Sequence, residues 1–79
     1  MTIDAYQETR AIADSLAKVG LGEYAGQVRG SLAEGATGTE IYMILRWRLA
    51  NIANDTALPA ELKTRLLSLH DHLDRALGP

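Results

Sequence analysis

Seventy-nine residues at 8.6 kDa make one small domain, for which surface scaling expects about 4,700 Å² of accessible area once folded, with roughly 62% of the unfolded surface buried. Apolar residues make up 47% of the chain, led by twelve Leu and twelve Ala, with four aromatics and no Phe; that composition excludes a disordered tail and a membrane-spanning protein. A formal charge of −2 lacks the basic excess of a general nucleic-acid binder, and the absence of Cys excludes disulfides, thiolate nucleophiles and Cys-ligated zinc.

The first four residues, Met1-Thr2-Ile3-Asp4, carry neither the basic region nor the apolar run of a secretory signal, so a cytoplasmic protein is expected. A first helix is predicted over residues 3–19, with Thr2 as N-cap and Asp4 in the first turn. At 100° per residue Ala5, Thr9, Ile12, Ala13, Leu16 and Val19 share one face, and Asp4, Gln7, Glu8, Asp14, Ser15 and Lys18 the other. Gly20 followed by Leu21 reads as a left-handed C-cap with its apolar contact.

The second helix is predicted over residues 22–34, with Leu21, Tyr24, Ala25, Val28 and Leu32 as its apolar stripe. Gly22, Gly26 and Gly30 recur every fourth position and, with Ala33, form a row roughly 145° from that stripe. Interior glycines cost about 1 kcal/mol each relative to Ala. The row implies close packing of another helix of the chain, a shallow groove for a partner, or a frayed helix that orders on binding.

The third helix is predicted over residues 39–54. Thr37 and Glu40 have the spacing of a capping box, and Thr39 is a second candidate cap. The fourth is predicted over residues 59–77, with Pro59 at its first helical position and Leu62, Leu66, Leu69, Leu73 and Ala76 along one side. No alternating run long enough for a strand occurs. The predicted fold is all-α, a bundle of four short helices in an up-and-down or orthogonal arrangement.

The third helix is apolar on two sides. Ile41, Tyr42, Leu45, Leu49, Ile52 and Ala53 form its core face, while Met43, Ile44 and Trp47 project elsewhere, among Glu40, Arg46, Arg48, Asn51 and Asn54. Such a helix either sits at the hub of the bundle or presents its second side to another molecule. In the second case Met43, Ile44 and Trp47 are the apolar anchor, and Arg46, Arg48 and Asn51 supply directional polar contacts. Leu67 is a further apolar residue surplus to a core of this size.

Chemistry is sparse. His70 and His72 are two apart and point away from each other, so with Asp71 and Asp74 they make half a metal site at most, the closest pairing being His70 with Asp74. Gly35-Ala36-Thr37-Gly38 lacks the Lys and the preceding strand of a phosphate loop. Ser15, Ser31 and Ser68 have no recognisable triad spacing, and Glu34 and Glu40, flanking a loop, read as caps. No catalytic residue, metal or cofactor is expected. A helix-turn-helix reading meets an apolar, acidic entry, Glu40-Ile41-Tyr42-Met43-Ile44, where polar base-reading side chains belong.

The stretch Gly35-Ala36-Thr37-Gly38-Thr39-Glu40-Ile41-Tyr42-Met43-Ile44-Leu45-Arg46-Trp47, followed by Leu58-Pro59 and a Leu-rich last helix, resembles small bacterial immunity proteins encoded beside polymorphic toxins. The similarity covers the second to fourth helices. It implies a protein that binds a cognate toxin domain and blocks it, without specifying the activity blocked. The expected function is therefore protein binding without catalysis. A self-associating helical adaptor, dimerising through the third helix and the glycine row, is the alternative, and a DNA-binding regulator a third. Neither a small-molecule substrate nor a nucleic-acid or membrane partner is expected.

Overall fold

Asp4 opens the first helix, its carboxylate accepting a hydrogen bond from the Gln7 N–H at 3.1 Å in the N-cap position. The computed structural model describes residues 4–78; Thr2 and Ile3, expected as cap and first residue, lie outside them. Helix α1 spans Ala5–Lys18, α2 Gly22–Glu34, α3 Gly38–Ala53 and α4 Ala60–Leu77, with no strand among the described residues. The fold is the expected all-α four-helix bundle.

A Schellman turn ends α1: Leu21 N–H donates to the Leu16 carbonyl at 2.9 Å and Gly20 N–H to that of Ala17 at 3.2 Å. Gly20 takes φ +84°, open to glycine at little cost. The same turn carries Val19 out of the helical register, so this residue, expected on the buried face, is 50% exposed. Thr9 is buried on the apolar side as expected, its hydroxyl donating to the Ala5 carbonyl at 2.6 Å.

Helix α2 has the expected bounds and runs unbroken through Gly26 and Gly30. Ala25, Val28 and Ser31 are its buried residues; Leu32 is only half-buried. A Cβ added at Gly22 or Gly26 meets nothing within 4 Å, so there the glycine row faces open space rather than another helix of the chain. With no contact to lose, Gly26→Ala gains the helix propensity that glycine forgoes. Thermal denaturation should show a gain of about 1 kcal/mol, or about 4–8 °C in Tm.

Thr37 caps α3, its hydroxyl accepting from the Glu40 N–H at 3.2 Å; Glu40 reaches back to the Ala36 N–H at 2.8 Å, one residue before the usual capping-box partner. The helix therefore starts at Gly38, with Thr39 inside it, and ends at Ala53 with Asn54 as C-cap. Pro59 lies just outside α4 at ψ 143°, its carbonyl accepting from the Lys63 N–H at 2.9 Å, so it is the N-cap rather than the first helical residue. Along α4 Leu62, Leu66, Leu69 and Leu73 are buried as expected, whereas Ala76, in the last turn, is exposed.

The helices close a ring in chain order, each packing against its sequence neighbours, with α4 returning to α1. Tyr24 with Asp55 at one end and Glu34 with Arg48 towards the other show α2 and α3 running in opposite directions. One stripe from each helix meets in the middle, with Ile12, Leu16, Val28, Leu45, Leu49, Ile52, Leu66, Leu69 and Leu73 all essentially inaccessible. Complete burial of such side chains contributes about 1.5–3 kcal/mol each. The total accessible surface is 4885 Å², close to the size expectation. Helix α3 is thus one wall of the ring, packed on α2 and α4 with α1 across the diagonal, and not its hub. Ile41 and Tyr42, expected in the core, are half-buried at the end of the ring, where the Tyr42 ring lies 6.1 Å from that of Tyr6.

Candidate functional site

The four sides of α3 have separate fates. Leu45, Leu49, Ile52 and Ala53 face the core. Arg48 reaches to α2 and Arg46 to α4. Between the arginines runs an exposed ridge, Glu40, Met43, Trp47, Asn51 and Asn54, at spacings that keep it on one side of the helix. Trp47 is 69% exposed and Met43 52% exposed, the two most open large apolar side chains among the described residues. Ile44, one turn from Arg48 on its α2 flank, is half-buried.

The polar residues expected to greet a partner are engaged within the chain. Arg48 clasps Glu34 with both terminal nitrogens, the Nη2 arm at 2.9 Å. Its Nη1 also donates to the Gln27 carbonyl at 3.0 Å and to the hydroxyl of buried Ser31 at 3.1 Å. The hydrogen bond to Arg48 holds the Glu34 carboxyl below its ordinary value against a smaller opposing effect of desolvation, and the same bond raises Arg48. Glu34 is thus a clasp for Arg48 rather than a helix cap. Arg46 donates to Asp74 at 2.7 Å, and the Asn51 amide donates to the Trp47 carbonyl one turn back at 3.0 Å. These ties hold α3 from both flanks and leave the ridge without an unpaired cation.

Asp74, which shares a side of α4 with His70, pairs with Arg46 instead, and His70 Nδ1 contacts Asp71 Oδ1 at 3.3 Å. Leu67, 40% exposed, lies seven residues from Asp74 and hence on the side of α4 turned towards α3. Among the described residues no three His, Asp or Glu side chains gather as metal ligands would.

Helical periodicity gives no sign of one long-range contact. Tyr24, read as part of the α2 stripe, donates its hydroxyl to Asp55 at 2.5 Å. Asp55 also accepts from the Ala57 N–H at 2.8 Å, so one carboxylate ties α2 to the α3–α4 connection. A recess of about 380 Å³ opens beside this latch, lined by Gly20, Leu21, Glu23, Tyr24, Gln27 and Asp55. The hydrogen bond from Tyr24, and then that from Ala57, lower the Asp55 pKa; the same Tyr24–Asp55 bond raises the tyrosine.

The signs fix a pH dependence. Asp55 and Glu34 titrate lower folded than unfolded, so their stabilisation is present above the ordinary carboxylate range near about pH 4 and is lost as pH falls through their folded values. Tyr24 titrates higher folded than unfolded, so its contribution holds below about pH 10 and is lost as pH rises through its folded value. Melting temperature against pH should therefore be flat near neutrality with losses at both limbs. Combined Asp55→Asn and Glu34→Gln should make the acid limb shallower; an unchanged limb would contradict the two ties.

Compared with known protein families, curated proteins and solved structures, the chain has no match.

Proposed function

We propose that this chain is a protein-binding module without catalysis of its own, and that it acts as an immunity-type inhibitor seating a toxin domain on the ridge of α3. The observation that carries this reading is the 69% exposure of Trp47 on a helix tied from both flanks. A large apolar side chain on a rigid element is the residue type that dominates binding energy at protein interfaces, and a neighbouring methionine adapts its shape to the facing surface. Of the residues on which the resemblance to immunity proteins rests, which also include Leu58-Pro59 and the Leu-rich last helix, 35–47 form the turn before α3 and the half of the helix bearing Met43 and Trp47. The exposed anchor therefore lies within one part of the chain that carries the resemblance. A duplex-reading role for α3 finds little support in a ridge whose flanking arginines are both held by carboxylates.

Co-expression tests the reading. The reading requires a toxin domain encoded beside this chain; that domain is produced in a host whose growth it arrests, with and without the chain. Restored growth and a co-purifying complex are expected. Growth arrest that persists despite abundant folded chain would overturn the inhibitor reading.

A further inference from the structure

We infer that Met43 is an oxidation site for peroxide-class oxidants, and that its reversible conversion to methionine sulfoxide turns the α3 ridge from apolar to polar without unfolding the bundle. The chain has two Met and no Cys, so Met43 holds the only sulfur among the described residues. The buried apolar residues are Ala, Val, Ile and Leu without exception, and Met43 stands outside them, 52% exposed. In a chain without thiols, a thioether facing solvent is the sulfur such oxidants reach.

The step needs no catalytic group. An S–O bond forms from the sulfur lone pair to one oxygen of hydrogen peroxide, and the O–O bond breaks. The proton on the transferred oxygen passes to the departing hydroxide. Methionine sulfoxide and water result, the sulfur losing the two electrons that the peroxide gains. A sulfoxide reductase with a dithiol returns the thioether; the oxygen leaves as water and the dithiol becomes a disulfide.

Position decides what the added oxygen does. Met43 lies one turn before Trp47, on the side of α3 away from Leu45, Leu49 and Ile52, so the sulfoxide adds its dipole to the ridge and none to the core. The flanking guanidiniums of Arg46 and Arg48 are engaged by Asp74 and Glu34, which leaves water as the oxygen's donor in the free chain. A partner that covers the ridge with apolar surface strips that water away and supplies no donor in its place. Oxidation thus removes the adaptable part of the anchor while Trp47 and the fold stay as they were. The consequence for binding rests on the function proposed above, but the test uses the isolated chain, so either can fail alone.

Dilute hydrogen peroxide is applied to the folded chain and to the chain unfolded in urea, and peptide mass spectrometry follows Met43. The two rates should agree within about fivefold, as exposure requires, and the oxidised chain should melt within about 3 °C of the unmodified one. Retention on a phenyl column should fall on oxidation and return after treatment with a sulfoxide reductase and dithiothreitol. Peroxide should leave the retention of Met43→Leu unmoved, Met1 being its one remaining methionine. Oxidation of Met43 slowed more than about fivefold by folding overturns the inference. So does an oxidised chain that has lost its fold, a retention that oxidation leaves unchanged, or an equal shift in Met43→Leu.

Discussion

Trp47→Ala should lower affinity for the proposed toxin-domain partner by about 30-fold or more, equivalent to about 2 kcal/mol, while the free chain keeps its stability to within about 0.5 kcal/mol. The two halves of this expectation have one cause. In the free chain the indole is 69% exposed, and the core is closed by Leu45, Leu49 and Ile52 on the opposite side of α3, so truncation opens no cavity. In a complex the same side chain gives up most of its water-facing surface, and removing it forfeits that burial. Calorimetric titration reads the first half and thermal denaturation by circular dichroism the second. Arg48→Ala is the natural contrast. It removes the clasp on Glu34 and the hydrogen bond to buried Ser31, so it should lower the melting temperature whatever it does to binding.

Gly35→Ala should destabilise the fold by about 2–3 kcal/mol, lowering Tm by about 10 °C or more. The cause is space and not backbone conformation, for Gly35 has φ −82°, which any residue adopts. A Cβ at this position would lie 2.6 Å from the Ile41 backbone nitrogen and 2.7 Å from its Cγ1. A backbone nitrogen inside a capped helix start cannot swing aside as a flexible side chain does. Relief requires moving the turn of residues 35–37 or the first turn of α3, with the bonds from Thr37 and Glu40 that hold it. Gly26→Ala, inside α2 with open space around it, should shift stability the other way. The pair thus tests the turn geometry against a matched control, with thermal denaturation as the common readout.

Periodicity and punctuation in the sequence specify most of this fold. Gly20-Leu21, Thr37 with Glu40, and Leu58-Pro59 each encode a local hydrogen-bonding pattern, and local patterns place helix ends to within a residue or two. At the start of α1 Asp4, expected in the first turn, is the N-cap, a shift of the same local kind. Tertiary pairing is another matter. Arg46 and Arg48 stand out from the core on a helical wheel whether they face solvent, a partner or a neighbouring helix. Their carboxylates, Asp74 and Glu34, are 28 and 14 residues away, on α4 and α2, and no spacing rule links them. The Tyr24–Asp55 latch, 31 residues apart, was hidden for the same reason.

The glycine row and the second apolar side of α3 show what a wheel leaves undecided. Both identify a side of a helix, and neither says whether another helix covers it. Ring packing supplies the missing fact: α3 has two neighbours, so its outer side stays open and Met43 and Trp47 with it. Gly22 and Gly26 are likewise uncovered, which turns a suspected helix crossing into a bare surface. The apolar excess first visible in the composition resolves into a buried core and a ridge of side chains outside it.

Trp47 is the only tryptophan in the chain, so its fluorescence reports on the ridge without interference from another indole. Acrylamide quenching of the dilute chain, repeated after addition of the proposed toxin-domain partner, measures the exposure of the indole in both states. The free indole should be quenched nearly as readily as tryptophan in a short peptide, and access should fall several-fold in the complex. An indole already shielded in the dilute free chain, or one that stays equally open once the toxin domain is bound, would contradict a binding ridge on α3.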